Sequence, residues 1–476
     1  MASSRKKKEV PDHVKLLGIT DRYLVDLECL REMFSTVIPV LREQDDLRHK
    51  AVKEIFKRAE KVSEEETQEQ ESSALKDSGS DKLDSDSDSN EVNSPKKSFK
   101  ISFGPKDAEN LISNVRKIKR AETLFAKQSI VSFVSRFDEF LGAFLEIALA
   151  QNPDWLKSSE KTITYKQLIE LKSIDTAIKG VIAKEVENLL RGSHEEHISY
   201  IDEKLKLGIR DHFPNLSCFL EVAERRNLFV HTGGQVSNQY LDRCRGFKYP
   251  VNDIKEGQEL EVSDDYFEKA FNVFFEIGLR IGQAAFRRLF PDEVATADSA
   301  LNKLAIKFLN YGDNELAELI TNYELNIPQK LRSDDSENEY YARINRAIAQ
   351  KRQGKDFEPG LDGVPWKAFH SKYKLCLHVL RDELQEAAAL MSSDDVIDEV
   401  GIEGFRTWPV FQDFRSTEEF REAYKQAFDH EYTPDPERDA QTIARQEEVV
   451  EPEPDTQKYD GNDSIEINPE HDGVCG

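Results

Sequence analysis

The stretch Ala121-Glu-Thr-Leu-Phe-Ala-Lys-Gln-Ser-Ile130-Val-Ser-Phe-Val-Ser-Arg-Phe-Asp-Glu-Phe140-Leu-Gly-Ala-Phe-Leu-Glu-Ile-Ala-Leu-Ala150 decides the fold. Leu124, Ile130, Phe133, Val134, Phe137, Phe140, Leu141, Phe144, Leu145 and Ala148 recur at spacings of three and four. That is the period of one helical face, and it predicts a long apolar helix ending near Pro153. Downstream, the same period predicts helices over 165–191, 194–209 and 215–231. Ser263-Asp-Asp then supplies N-cap chemistry for a further helix running to about Phe290. On that helix Phe267, Phe271, Phe274, Ile277 and Ile281 keep the period, and Gly278 and Gly282 lie four apart, a spacing that lets a neighbouring helix approach closely. Val251 to Val262, between two helices, reads as a small hairpin. Together these elements predict an all-α bundle over residues 104–291, long enough for its own core.

Working outward, residues 21–61 suit two amphipathic helices joined near Pro39, within an N-terminal helical segment 1–62 that needs something to dock on. Beyond Pro291 the predicted helices become shorter. They fall around Leu301–Phe308 and Leu316–Ile320, then over Tyr341–Gln353, His370–Met391 and Thr417–Phe428. The recurring helix–turn–helix units of 292–430 are TPR-like, although the 34-residue consensus is not met position by position. Trp366 and Trp408 in that region read as staples between helices. Residues 63–103 and 431–476 read as acidic disordered segments, since runs such as Asp84-Ser-Asp-Ser-Asp-Ser and Glu451-Pro-Glu-Pro-Asp bury too little surface to offset ordering.

The formal net charge of the 476 residues is −25, which first argues against a phosphate-rich partner. Its distribution reverses that argument. Residues 63–91 carry a net of −9 and residues 431–476 a net of −11, whereas 96–250 carry 25 Lys and Arg against 20 Asp and Glu. The middle of the chain is therefore the place for an anionic ligand. No run approaches the roughly 18 apolar residues of a membrane span, and the basic start Arg5-Lys-Lys-Lys8 is not followed by the apolar core of a signal peptide. A cytoplasmic location is expected. The five cysteines, Cys29, Cys218, Cys244, Cys376 and Cys475, include no Cys-x-x-Cys pair and read as reduced thiols.

Glu224-Arg-Arg-Asn-Leu-Phe-Val-His231-Thr-Gly-Gly234 is the stretch that points to chemistry. Arg226 and His231 form an Arg-x4-His motif with Asn227 directly after the arginine. Leu228, Phe229 and Val230 place the motif on a buried helix, and Gly233 is positioned as its C-terminal stop. Asn227 and His231, four residues apart, share a face, and the long stem of Arg226 reaches the same spot. The plain alternative is a histidine that complements the helix dipole, beside arginines paired with Glu221 and Glu224.

Through this motif and the helix order around it, residues 105–290 resemble the HEPN superfamily, α-helical bundles that carry Arg-Asn-x3-His or Arg-x4–6-His near the end of a core helix. The resemblance implies a metal-independent endoribonuclease acting as a homodimer, with Arg226, Asn227 and His231 as catalytic residues, RNA as substrate and no cofactor or metal. It also implies a place in phage defence or stress response, with the TPR-like region docking or sensing a protein partner. The chemistry is coherent. Attack of a ribose 2′-OH on the adjacent phosphate needs a group that exchanges protons near neutral pH, which histidine supplies, and a cation on the phosphate, which arginine supplies. The resemblance departs from one branch of the superfamily. Where toxins paired with a nucleotidyltransferase carry a tyrosine two residues after the histidine, this chain has Gly233. The other reading of the same surface is a non-catalytic adaptor that binds RNA or protein.

Three further signals are weighed the other way. His194-Glu-Glu-His197 spaces two histidines for a metal but lacks a third ligand at helical spacing, so an exposed polar turn is expected. Arg116, Lys117, Lys119 and Arg120 read as a solvated helix face. Walker-type and Gly-x-Ser-x-Gly motifs are absent from the sequence.

Overall fold

In a computed structural model, which describes residues 10–76, 105–156, 173–334, 337–366 and 370–434, the run 121–150 forms the greater part of one helix. The fold is all-α. The described residues hold fifteen α-helices and no strand. In chain order they are α1 (Asp12–Lys76), α2 (Pro105–Gln151), α3 (Ile174–Leu190), α4 (His194–Leu205), α5 (Ile209–His212), α6 (Leu216–Thr232), α7 (Asn238–Gly246) and α8 (Asp264–Leu289). There follow α9 (Val294–Asn310), α10 (Asn314–Leu325), α11 (Glu337–Arg352), α12 (Ser371–Leu380), α13 (Leu384–Met391), α14 (Asp394–Thr407) and α15 (Glu418–Phe428). No helix among the described residues is long and apolar enough to cross a membrane.

Two compact units share these helices. The first comprises Met1–Leu301 with Asn326–Ser336, and the second comprises Asn302–Leu325 with Glu337–Gly476, so the division falls inside α9. The division lies about ten residues past the boundary expected near residue 291.

In the first unit α2 and α8 pack against each other, with α1 along both and α6 against both. The periodic phenylalanines meet at that junction. Phe137 and Phe274 each lie against Phe219 with ring centroids 4.9 Å apart, and Phe133 lies 5.1 Å from Phe267. All five rings are fully buried, each contributing about 1.5–3 kcal/mol by leaving water. The close approach expected at Gly278 and Gly282 is made by α1. A methyl group at Gly278 would overlap the Tyr23 ring, and one at Gly282 the Thr20 side chain. Tyr23 also donates a hydrogen bond to the Phe274 carbonyl at 2.8 Å, a carbonyl on the facing helix.

Three expectations about the N-terminal half need correction. The two helices expected to join at Pro39 are one helix, because Phe34 and Ile38 are buried just before the proline and Arg42 anchors the turn after it. Phe34 stacks on Phe267 at 3.6 Å, and Arg42 grips Asp264 at 2.7 and 2.8 Å and Glu122 at 2.8 Å. Fixing the chain on both sides offsets the hydrogen bond that an interior proline removes, a loss of about 3 kcal/mol. Second, α1 continues to Lys76, inside the acidic stretch expected to lack order. Its Glu and Gln residues have high intrinsic helix propensity, which net charge alone does not reveal. Residues 77–104 and most of the acidic tail lie outside the described residues. Third, the segment expected as a hairpin over 251–262 does not pair with itself. Gln235 bridges Glu259, with Val236 N–H donating to the Gln258 carbonyl at 2.9 Å and Leu260 N–H to the Gly234 carbonyl at 2.9 Å. Val236, Val251 and Leu260 are thereby drawn into a small core with Leu228, Tyr240, Leu241 and Cys244.

In the second unit Arg352 joins separate segments by donating to the Leu309 carbonyl at 2.8 Å, the Pro409 carbonyl at 2.9 Å and Gln412 Oε1 at 2.7 Å. Trp366 is buried, donates from Nε1 to the Leu361 carbonyl at 2.9 Å and lies 5.6 Å from the Tyr340 ring, and Trp408 lies 5.9 Å from the Tyr341 ring, so both tryptophans pack against α11. Helix α14, which the sequence pattern did not show, bends at Gly401, whose φ of 64° is the left-handed conformation that glycine adopts freely.

Candidate functional site

Helix α6 carries the Arg-x4-His motif and ends where the sequence places its stop, with Gly233 left-handed at φ 67°. Burial along the motif is uneven. Leu228 is buried, Phe229 half-buried and Val230 about half exposed at 52%. The helix is therefore wrapped over Cys218–Ala223 and opens to solvent only along its last turns, where the motif lies. His231 projects from the last turn, exposed and with no hydrogen bond or ion pair among the described residues. Asn227 and Arg226 are half-buried one turn earlier, and Arg226 Nη1 donates to Asn227 Oδ1 at 3.1 Å.

The two neighbouring arginines have opposite surroundings. Arg225 points inward and is only 7% exposed. Its Nε donates to Glu221 Oε1 at 2.7 Å, and its guanidinium lies 3.8 Å over the Tyr266 ring. Glu221, fully buried, also accepts from the Tyr240 hydroxyl at 2.6 Å and the Tyr266 hydroxyl at 2.9 Å. Burial works against the Arg225 charge, yet Tyr266, Glu221 and Tyr240 hold its pKa above the ordinary arginine value. Burial, reinforced by Glu221, pushes both tyrosines well above the usual phenol range. Glu224, the other carboxylate weighed as a partner, takes Arg243 at 2.7 Å.

Arg226 points the other way, toward Asp138 on α2, with Nη2 3.6 Å from Oδ2. Its Nε is buried and has no hydrogen-bond partner among the described residues. The other oxygen of Asp138, Oδ1, accepts from His194 Nε2 at 3.0 Å. His197, one turn along α4, is not on the exposed turn expected of it, since it is 3% exposed. Its Nε2 donates to the Leu189 carbonyl at 2.8 Å, and Nδ1 has no hydrogen-bond partner among the described residues. Burial pushes the His197 pKa down, with the neighbouring His194 adding to the effect. The third ligand that helical spacing could not supply comes from another helix. Asp138, His194 and His197 each offer one ligand atom, all within 4.8 Å of one another.

The structure thus joins the motif arginine to the histidine pair that the sequence separated from it by about thirty residues. Asp138 is the link, and sequence reasoning missed it. Its one visible signal was an acidic Asp138-Glu139 step between the core positions Phe137 and Phe140. The basic run Arg116, Lys117, Lys119 and Arg120 lies exposed along α2, as a solvated face would.

One lysine positions the end of the motif helix. Lys127 Nζ donates to the Gly233 carbonyl at 2.8 Å and pairs with Glu259 at 2.6 Å. It thereby satisfies a carbonyl just past the helix end while holding the segment that pairs with Gly234–Val236. Lys127→Met is expected to speed amide exchange at Val236 and Leu260 roughly tenfold, in line with about 1.5 kcal/mol for a hydrogen bond to a charged donor. Unchanged protection at both amides would show that the lysine does not hold this turn.

Elsewhere, a cavity of about 250 Å³ in the second unit is lined by Asn302, Ile306, Asn345 and Cys376 among others. Burial pushes the Cys376 thiol up to about 12, Cys244 to about 12 and Cys218 to about 11, so these thiols stay protonated near neutral pH. No protein-family model, curated protein or solved structure matches this chain.

Proposed function

We propose that this chain is a cytoplasmic, metal-independent endoribonuclease of the HEPN type, acting in defence or stress response, in which Arg226 and His231 act on RNA with Asn227 assisting. The observation that carries the reading is the setting of His231. It stands exposed in the last turn of α6, while Arg226 and Asn227, joined by a 3.1 Å hydrogen bond, sit on the preceding turn. An exposed imidazole can exchange a proton with a ribose hydroxyl or a leaving oxygen. A guanidinium one turn away can donate to the phosphate that gains charge. A single histidine cannot be acid and base in the same step, so the reading requires two copies of the motif facing one phosphate across a homodimer. Val230, apolar and half exposed beside His231, is the kind of residue such an interface would cover. The second unit, TPR-like in its helix–turn–helix pattern, is the candidate surface for a protein partner or trigger.

One observation favours the adaptor reading, namely that Arg226 is directed at Asp138 and must turn from it to reach a phosphate. Incubation of the purified full chain with mixed RNA in EDTA separates the two. The ribonuclease reading predicts products with cyclic-phosphate ends and a loss of at least about 100-fold in His231→Ala. RNA left intact across substrates and partners, or cleavage equal in wild type and His231→Ala, would leave the adaptor.

A further inference from the structure

We infer that Asp138, His194 and His197 form a binding site for a divalent transition-metal ion, with Zn²⁺ the expected occupant. The donor set is two imidazoles and one carboxylate, which suits zinc, whereas calcium and magnesium take oxygen ligands. Three protein ligands leave a fourth tetrahedral position for water.

Two features beyond the proximity of the three side chains point to a cation. The first is the His197 ring. It is 97% buried, and with Nε2–H committed to the Leu189 carbonyl, its Nδ1 lone pair meets no hydrogen-bond donor among the described residues. A buried acceptor left unpaired is costly, and a cation is the partner that uses it. The second is the outer layer. Metal-ligating histidines usually give their other N–H to a carbonyl or carboxylate, and ligating carboxylates are themselves contacted by donors. Here the Leu189 carbonyl already fixes the His197 ring, and Arg226 faces Asp138 Oδ2, the oxygen that His194 does not use.

The ligands also stand on fixed backbone. Ser193 and Glu196 close a capping box at the start of α4, with Ser193 N–H donating to Glu196 Oε2 at 2.7 Å, so the turn that carries both histidines is held in register. Tetrahedral bonds of about 2.0–2.1 Å place ligand atoms about 3.3 Å apart. The ligand atoms lie within 4.8 Å of one another, so binding requires them to draw together; Asp138 and His194 are both partly exposed. A cation held there joins α2 to α4 and takes up Asp138 charge that otherwise faces Arg226. Binding does not depend on the ribonuclease reading; any effect on cleavage does.

The test uses the full chain stripped with EDTA, dialysed and titrated with Zn²⁺ by equilibrium dialysis, with no RNA present. The expected result is one tight equivalent, weakened at least about tenfold in His194→Ala and in Asp138→Asn, together with a higher melting temperature in the loaded wild type. Co²⁺ in place of Zn²⁺ should give visible absorption bands that His194→Ala lacks. Circular dichroism of the metal-free variants establishes that they fold, and Asp138→Asn, equal in shape to the wild type, carries the test should His194→Ala not fold. Absence of binding by wild type overturns the proposal, and so does equal affinity in wild type and a folded variant. RNA cleavage is not read here, so the outcome stands apart from that of the ribonuclease assay.

Discussion

Glu221→Ala is expected to destabilise the first unit by about 3–5 kcal/mol, the cost of leaving a buried charge without its partner. Glu221 is fully buried and serves Arg225, Tyr240 and Tyr266 at once. Its removal strands the Arg225 guanidinium under the Tyr266 ring and leaves two phenol hydroxyls without their acceptor. Among the described residues Arg225 retains the Tyr266 ring and one long hydrogen bond, 3.4 Å to the Glu261 carbonyl. Urea unfolding followed by tyrosine near-ultraviolet signal measures the loss, and a midpoint within about 1 kcal/mol of wild type would sink the argument. A second variant identifies the mechanism. Glu221→Ala combined with Arg225→Met should recover much of the loss, because two apolar side chains need no partner. The same network lies on the inner side of α6, so the loss should also loosen the turn that presents Arg226 and His231.

Gly278→Ala is expected to cost about 3 kcal/mol, the upper end of what overpacking a tight core does. The added methyl group falls on the Tyr23 ring, which cannot swing away while its hydroxyl donates to Phe274 and its face lies against Phe140 at 4.8 Å. Relief requires α1 to move off α8. Hydrogen exchange should therefore report faster exchange along the first turns of α1 before it reports any change in α8. In a double-mutant cycle Tyr23→Ala and Gly278→Ala should be strongly non-additive, since removing the ring makes room for the methyl group. Additive losses, or exchange in α1 that does not change, would show that the glycine is not the point of contact.

The helical period was legible in α2 because burial there is one-sided, with Phe133, Phe137, Phe140 and Phe144 in the core and Arg136, Asp138 and Glu139 outside it. In α8 the bulky positions Phe267, Phe271, Phe274, Ile277 and Ile281 keep the period although every residue from Val273 to Leu279 is buried. Gly233 was legible as a stop because only its φ is special. Pro39 misled because local chemistry says break, whereas Phe34 and Arg42 hold the chain through contacts with residues more than two hundred positions away. The segment 251–262 misled for a similar reason, since its alternation fits any strand partner and the available partner is the loop after α6. For the candidate site, spacing placed Arg226, Asn227 and His231 together on one helix, and they share α6. It could not find Asp138, nor the burial of His197, because both follow from three helices meeting, and no period within one helix records a neighbour.

Helix α1 gives the first unit an unusual construction. One wall of the phenylalanine core, with Leu16, Tyr23, Leu27 and Phe34 facing inward, is donated by a stretch of chain that precedes Pro105 by some seventy residues or more. A fragment cut to begin at residue 104, where composition changes, would carry the motif yet present Phe267, Gly278 and Gly282 to water along an open trough. Such a piece would be prone to clumping and would make an inactive result uninterpretable. Shortened versions of this protein used for RNA or zinc work must keep residues 12–42, whether on the same polypeptide or supplied as a separate peptide that fits the trough.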